Sequence, residues 1–252
     1  MSDFNRNVTA RGGFADRTAA VDAGLRTYML RVYNYMGAAV ALTGVVAWLC
    51  FQNAVVTNEA GAITGLTSFG QMILGGYTPI ILMLATLGLV FFISFRIHTL
   101  QYTTALGLFM LYAALLGAAL TSILVAYTGA SVARVFFISA ASFGALSLYG
   151  YTTQRDLSAM GSFLIMGLFG IIIASLVNIF LKSSGLDWAI SVIGVGVFAG
   201  FTAYDTQQIK EMYSSMDDDG TIGRKAVIGA LKLYLDFINL FLMLLQLFGN
   251  RR

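Results

Sequence analysis

The chain has 252 residues, 58% of them hydrophobic and only 11% charged, with a net charge of +3. Soluble domains carry about 25% charged residues, so there is too little charge here to coat a water-soluble globule, and the remaining solvent is lipid. Cys50 is the only cysteine and His98 the only histidine, which excludes an intramolecular disulfide, a cysteine-based zinc site and any site needing two histidines.

In chain order, residues 1–30 are polar, with Arg6, Arg11, Arg17 and Arg26 interspersed with Asp3, Asp16 and Asp22. They read as a cytoplasmic N-terminal tail, disordered over 1–15 and a surface helix over 16–30. No cleavable signal peptide is expected, because the first apolar run begins only near Val32 and is too long for one. Residues 31–252 read as one transmembrane domain. A helix needs about 20 residues to cross the hydrocarbon core, and seven segments qualify: 32–51, 77–95, 103–126, 132–151, 161–181, 187–208 and 229–248. Short alternating segments of the barrel type are absent, and lipid demands that backbone groups be satisfied within each segment. The fold class is therefore all-α integral membrane.

Basic residues lie mostly at the ends of these segments, a membrane-orientation pattern rather than a nucleic-acid footprint. The N-terminal region, the second–third loop (Arg96), the fourth–fifth (Arg155) and the sixth–seventh (Lys210, Arg224, Lys225) carry most of them. The 52–76 loop has Glu59 and no Lys or Arg. That places the N-terminus in the cytoplasm and, after seven crossings, Arg251 and Arg252 outside, with a shortened or re-entrant last segment as the rival reading. Pro79 lies at a helix start, where proline is tolerated. Glycines within the segments, such as Gly167, Gly170, Gly194, Gly196 and Gly200, point to close helix packing rather than hinges. No paired halves of a repeat-built transporter are visible.

Most acidic residues lie in the tail or loops. Asp205, in AYDTQQIK of the sixth segment, and Asp236, in LYLDFINLF of the seventh, do not. An aspartate at the centre of a membrane helix costs about 2.5–3.5 kcal/mol, less toward the ends. Both aspartates are expected at similar depth, a short way above the cytoplasmic boundary. Two carboxylates brought together are not easily ionised at once, so such a pair shares a proton, and carboxylate oxygens also suit calcium. The simpler alternatives are an ion pair between Lys232 and Asp236, four residues apart, and an Asp205 that reaches the interface or caps local structure. Arg96 is either an orienting anchor or a counter-ion to Asp205.

The segments LYLDFINLFLMLLQLFGNRR and AYDTQQIK, with RVYNYMGAAVALTG and FGALSLYGYTTQRDLSAMGSF, resemble the Bax inhibitor-1 family, bacterial branch. The resemblance covers nearly the whole chain from Arg31 onward. It implies six helices wrapped around a central C-terminal one, and a pH-sensitive calcium leak governed by two aspartates. These fall on Asp205 and Asp236, and an arginine that latches the first aspartate falls on Arg96. Two departures are a missing Gly-Pro in the third–fourth region and the wholly apolar LMLATLGLVFF, where some members carry an acid. The resemblance also implies a bacterial inner membrane and a second reading, a regulator acting through a partner such as a membrane protease.

Other motifs fail. Asp217, Asp218, Asp219 and Gly220 lack the alternating acids and terminal glutamate of a calcium-binding loop. No nucleophile with a neighbouring base is identifiable, so no enzyme activity and no cofactor are expected, with calcium only as a transported ion.

Overall fold

The computed structural model describes residues 3–58 and 62–252, the stretch 3–21 by its backbone alone. Glu59 therefore lies outside the described residues, as do the side chains of most of the N-terminal segment. In order the elements are α1 (Asp3–Ala54), β1 (Val55–Thr57), β2 (Ile63–Leu66), α2 (Ser68–Leu74), α3 (Thr78–Arg96), α4 (Tyr102–Ala119), α5 (Thr121–Ala126), α6 (Gly129–Thr152), α7 (Ser158–Leu181), α8 (Ser184–Glu211) and α9 (Asp219–Phe248). Among the described residues, 7 helical stretches are long and apolar enough to cross a membrane, α4 and α5 together forming one.

The boundaries follow local chemistry. Pro79 stands in the first turn of α3, where its missing N–H costs nothing. Ser183 caps α8 by accepting from the Leu186 N–H, and Asp218 caps α9 by accepting from the Thr221 N–H. α7 ends at Lys182, whose φ of 49° turns the chain into α8. The limit drawn between residues 30 and 31 falls inside α1, where Tyr28, Met29 and Val32 are buried together. The helix also continues back to Asp3, where a disordered tail was expected. The 52–76 connection holds the antiparallel β1–β2 hairpin and α2, which rest on a small apolar cluster of Ala54, Val55 and Ile73.

α9 is the axis of the bundle. It packs against α1, α4, α6 and α8, and its Leu231, Leu233, Tyr234, Leu240 and Leu245 are fully buried. α7 packs on α8, and α3 on α4, at the periphery. Lipid tails are as apolar as leucine, so helix association rests on close packing and hydrogen bonds rather than on the hydrophobic effect. At two crossings only glycine fits: a Cβ on Gly150 of α6 would stand 2.2 Å from the Ala203 carbonyl of α8, and one on Gly117 of α4 would stand 2.6 Å from that of Thr43. Gly167, Gly194 and Gly200 likewise receive a neighbour's side chain, whereas Gly170 and Gly196 face open space.

The last helix crosses the whole bundle, which removes the re-entrant alternative. Beyond it, the Arg252 N–H donates to the Ala126 carbonyl at 2.9 Å and the Thr128 N–H to that of Asn250 at 3.0 Å. The C-terminus is thus tied to the α5–α6 turn, at the end of the bundle opposite the α8–α9 loop. The guanidinium groups of Arg251 and Arg252 lie 5.8 and 5.4 Å from the rings of Tyr127 and Phe51, contacts that hold these cations against the bundle end.

Candidate functional site

Three contacts set the register of the antiparallel α8–α9 pair. Ile209 meets Gly229, Asp205 meets Lys232, and Met243 crosses Gly194. Lys232 therefore stands opposite Asp205, and Asp236 lies one turn, about 6 Å, further along α9. The two aspartates are not at the same depth, contrary to expectation. α9 starts at Asp219, with Arg224 and Lys225 inside its first turns, rather than at the first apolar residues. Asp236 consequently sits about 25 Å along the helix, near its middle, not two turns in.

Both carboxylates are buried, Asp205 at 8% exposure and Asp236 at 6%. The Lys232 Nζ lies 3.4 Å from Asp205 Oδ1. Asp236 Oδ2 is buried without a hydrogen-bond partner among the described groups. Asp205 and Lys232 are both near enough to act electrostatically on Asp236. The intrahelical pair of Lys232 with Asp236 is not formed. A lysine one turn before an acid is the less favoured order on a helix, and the carboxylate of α8 takes the ammonium instead.

The structure does not bring Arg96 to Asp205. Arg96 is exposed at the end of α3, and α3 reaches the bundle through α4 rather than α8. The charge opposite Asp205 is Lys232, a residue the sequence offered only as a partner for Asp236.

Three consecutive residues of α8 are used in three directions. Asp205 faces α9. Thr206 Oγ1 hydrogen bonds with Ser147 Oγ of α6 at 2.9 Å, and Ser147 Oγ in turn with Tyr33 OH of α1 at 2.7 Å. Gln207 Nε2 donates to the Arg155 carbonyl at 2.9 Å, while its Oε1 accepts from the Leu157 N–H at 2.8 Å. Thr206 also donates to the Thr202 carbonyl at 2.7 Å. A hydroxyl chain thus ties α1, α6 and α8 beside the carboxylates, and Gln207 fixes the α6–α7 turn. Sequence reasoning missed Tyr33, Ser147, Thr206 and Gln207. Their one signal was the polar run Asp205–Gln208 within an otherwise apolar helix.

At the α8–α9 loop, Asp217 pairs with Lys225 at 2.5 Å. The Asp218 carboxyl is held below the usual carboxylate range by hydrogen bonds from the Thr221 hydroxyl and N–H. The acidic run there is a loop and a helix cap. Asp205 and Asp236 could supply oxygens to a hard cation, and among the described residues no cluster of three or more His, Cys, Asp or Glu is found. Any further ligands would be carbonyls, hydroxyls or water.

Comparison with known proteins is consistent across the chain. Residues 25–252 match the family described as inhibitor of apoptosis-promoting Bax1. The inner membrane protein YbhL of Escherichia coli K12 is 49% identical over 91% of this chain and 94% of its own length. RP147 of Rickettsia prowazekii is 47% identical over the whole of both chains. A membrane protein of Streptococcus pyogenes is 36% identical over 91% of this chain and 95% of its own.

Proposed function

The chain belongs to the Bax inhibitor-1 family of integral membrane proteins, and from that premise we propose that it is a pH-sensitive cation leak, with calcium the favoured ion. It acts in a bacterial inner membrane with its N-terminus in the cytoplasm. The observation that carries the reading is the Asp236 carboxylate, buried near the middle of the axial helix with an oxygen unpartnered and a second carboxylate one turn away. A buried polar atom left without a partner is costly unless a proton, an ion or water completes it.

The groups that face the pair are few. Asp205 comes from α8, Lys232 and Asp236 from α9, while the hydroxyl of the adjacent Thr206 is directed to Ser147 of α6 and not to the pair. With all three charged groups ionised the cluster carries one net negative charge, which favours a cation. Acid neutralises a carboxylate, cancels the attraction of Asp205 for Lys232 and loosens α8 from α9. The same proton removes a ligand charge. The two effects oppose one another, so flux passes through an optimum with pH. Lys232, not Arg96, is the charge partner in this reading.

Purified protein in calcium-free liposomes tests it. Calcium should enter faster than into protein-free vesicles, with a rate that varies with pH. A regulator that works through a partner would leave the vesicles tight at every pH, and that result would end the leak reading.

A further inference from the structure

Between α7 and α9, which both pack on α8, runs a groove made of two adjoining cavities of about 380 and 370 Å³ that share Ser175, Ile179 and Met243. Its mouth, at the α7–α8 turn, is formed by Lys182, Asp187 and Gln246. Its deep end is formed by Leu168, Phe198 and Asn239. From Lys182 to Leu168 the groove follows α7 for about 21 Å, well over half of a hydrocarbon core of about 30 Å.

The groove is lined mainly by apolar side chains, Leu168, Ile171, Ile172 and Leu176 among them, with polar ones set between them. The outward face of α7 carries Phe163, Met166, Phe169, Ile173 and Phe180, as lipid requires. Ser175, Asn178, Asn239 and Gln246 instead converge on the groove. Side-chain amides and hydroxyls facing acyl chains are costly, and they are tolerated where they line water. The Asn178 Nδ2 donates to Asp187 Oδ1 at 2.5 Å, linking the floor to the mouth. The Asn239 Nδ2 donates to the Leu235 carbonyl at 2.8 Å, and its oxygen has no partner in its own helix. Met243 lies across Gly194, where a Cβ would stand 2.7 Å from its sulfur.

The groove stops one turn short of the carboxylate. Asp236 precedes Asn239 by three residues on α9, about 4.5 Å of rise. In the α8–α9 register Phe198, 6% exposed, stands opposite Asn239 and closes the deep end. Beyond it is the buried, unpartnered Asp236 Oδ2.

We propose that this groove is a water-filled half-channel through which water and small hydrated cations approach Asp236 from the α7–α8 end, with Phe198 as its hydrophobic barrier. The destination rests on the leak reading above, whereas the presence of water does not. The mouth holds Asp187 and Lys182, with Arg251 in electrostatic reach of Asp187. Together these three groups carry one net positive charge, which does not favour cations, so selection for them falls to the aspartates.

Accessibility of introduced thiols decides it. Full-length protein carrying Cys50→Ala is reconstituted, and single Ser175→Cys, Asn239→Cys, Asp236→Cys and Ile173→Cys variants are treated with a charged, membrane-impermeant thiosulfonate. Only a thiolate reacts, and thiolates form in water, so the Ser175→Cys and Asn239→Cys proteins should react at least about tenfold faster than the Ile173→Cys protein. They should do so only from the α7–α8 side. The Asp236→Cys protein should stay unreactive until Phe198→Ala is added, and then react from that side. Reaction after full denaturation confirms that each thiol is present, and an unshifted elution profile in detergent confirms folding. Asn239→Cys reacting no faster than Ile173→Cys would mean a lipid-filled groove and overturn the proposal. Asp236→Cys reacting freely with Phe198 intact would overturn the barrier. Labelling as expected in vesicles that do not leak would strike the leak reading alone and leave the water path standing.

Discussion

Helices α9 and α3 are both apolar enough to cross a membrane, yet 67% of the most apolar stretch of α9 is buried in protein, against 11% of that of α3. The less polar helix is the one left facing lipid. α3 has no charged residue between Thr78 and Phe95, whereas α9 carries Lys232, Asp236 and Asn239 in its middle turns. In water the apolar element is driven inside. In lipid there is no such drive between helices, and polar groups that need partners select the interior. The helix that holds the chemistry is therefore the one with the charges, and α3 with its terminal Arg96 is a lipid-facing wall.

The contrast is broken most severely at the α6–α8 crossing. Gly150→Val would drive a side chain into the Ala203 backbone, cost about 3 kcal/mol or more, and reduce the yield of monodisperse protein. Phe95→Ala on α3, where the ring is 79% exposed, should leave yield and thermal unfolding unchanged. A large loss at Phe95 would mean that α3 is packed rather than peripheral.

Much of this division is legible in the sequence. All seven crossings can be read from it, because a run of about 20 apolar residues has few other uses. Both buried aspartates stand out by the same logic. The start of α9 does not, since Arg224 and Lys225 interrupt the apolar run while the helix, capped by Asp218, continues through them. The early start moves Asp236 from two turns into the helix to its middle, although it stands only about one turn from the level of Asp205. The partner of Lys232 is hidden because helix-neighbour rules see only its own helix, and the register of α8 on α9 is a tertiary fact. Arg96 is assigned to the latch by membrane side and by a resemblance in position, and sharing a side does not mean sharing a neighbour. The hydroxyl chain joins single residues on three helices, and no local spacing announces it.

Next in size is the charge cluster. Asp205→Ala removes the partner of Lys232, and because the lysine side chain is 41% exposed the expected cost is modest. About 1–2 kcal/mol in thermal or denaturant unfolding is reasonable, below that of a fully buried pair. Arg96→Ala should leave stability, flux per molecule and the pH midpoint of flux unchanged. A shifted midpoint would put α3 back into the mechanism. Tyr33→Phe deletes the first hydroxyl of the chain to Ser147 and Thr206 and should cost about 0.6 kcal/mol, a typical value for a hydrogen bond between membrane helices. A loss several times larger would show that the chain shapes the site rather than merely tying α1 to it.

A small effect, confined to one end of the pH range, is expected at the solvent-facing start of α9. Asp218 caps the helix as a carboxylate and is held below its ordinary range by Thr221. A group with a lowered folded value stabilises above its unfolded value and loses that contribution as pH falls through the folded one. Asp218→Ala should therefore lower the unfolding temperature slightly at neutral pH and make no difference in strong acid. An equal loss at both would mean that the side chain acts by packing and not as a cap.

The central claim is that the carboxylates between α8 and α9, and nothing on the lipid-facing helices, make the protein a pH-responsive cation leak. Calcium entry into liposomes, normalised to reconstituted protein and followed from mildly acidic to mildly basic pH, compares wild type with Asp236→Asn most directly. The account predicts a pH-dependent rate in the wild type and a flat profile in the variant, with Arg96→Ala indistinguishable from wild type. A variant whose profile retains the wild-type shape and midpoint would contradict it.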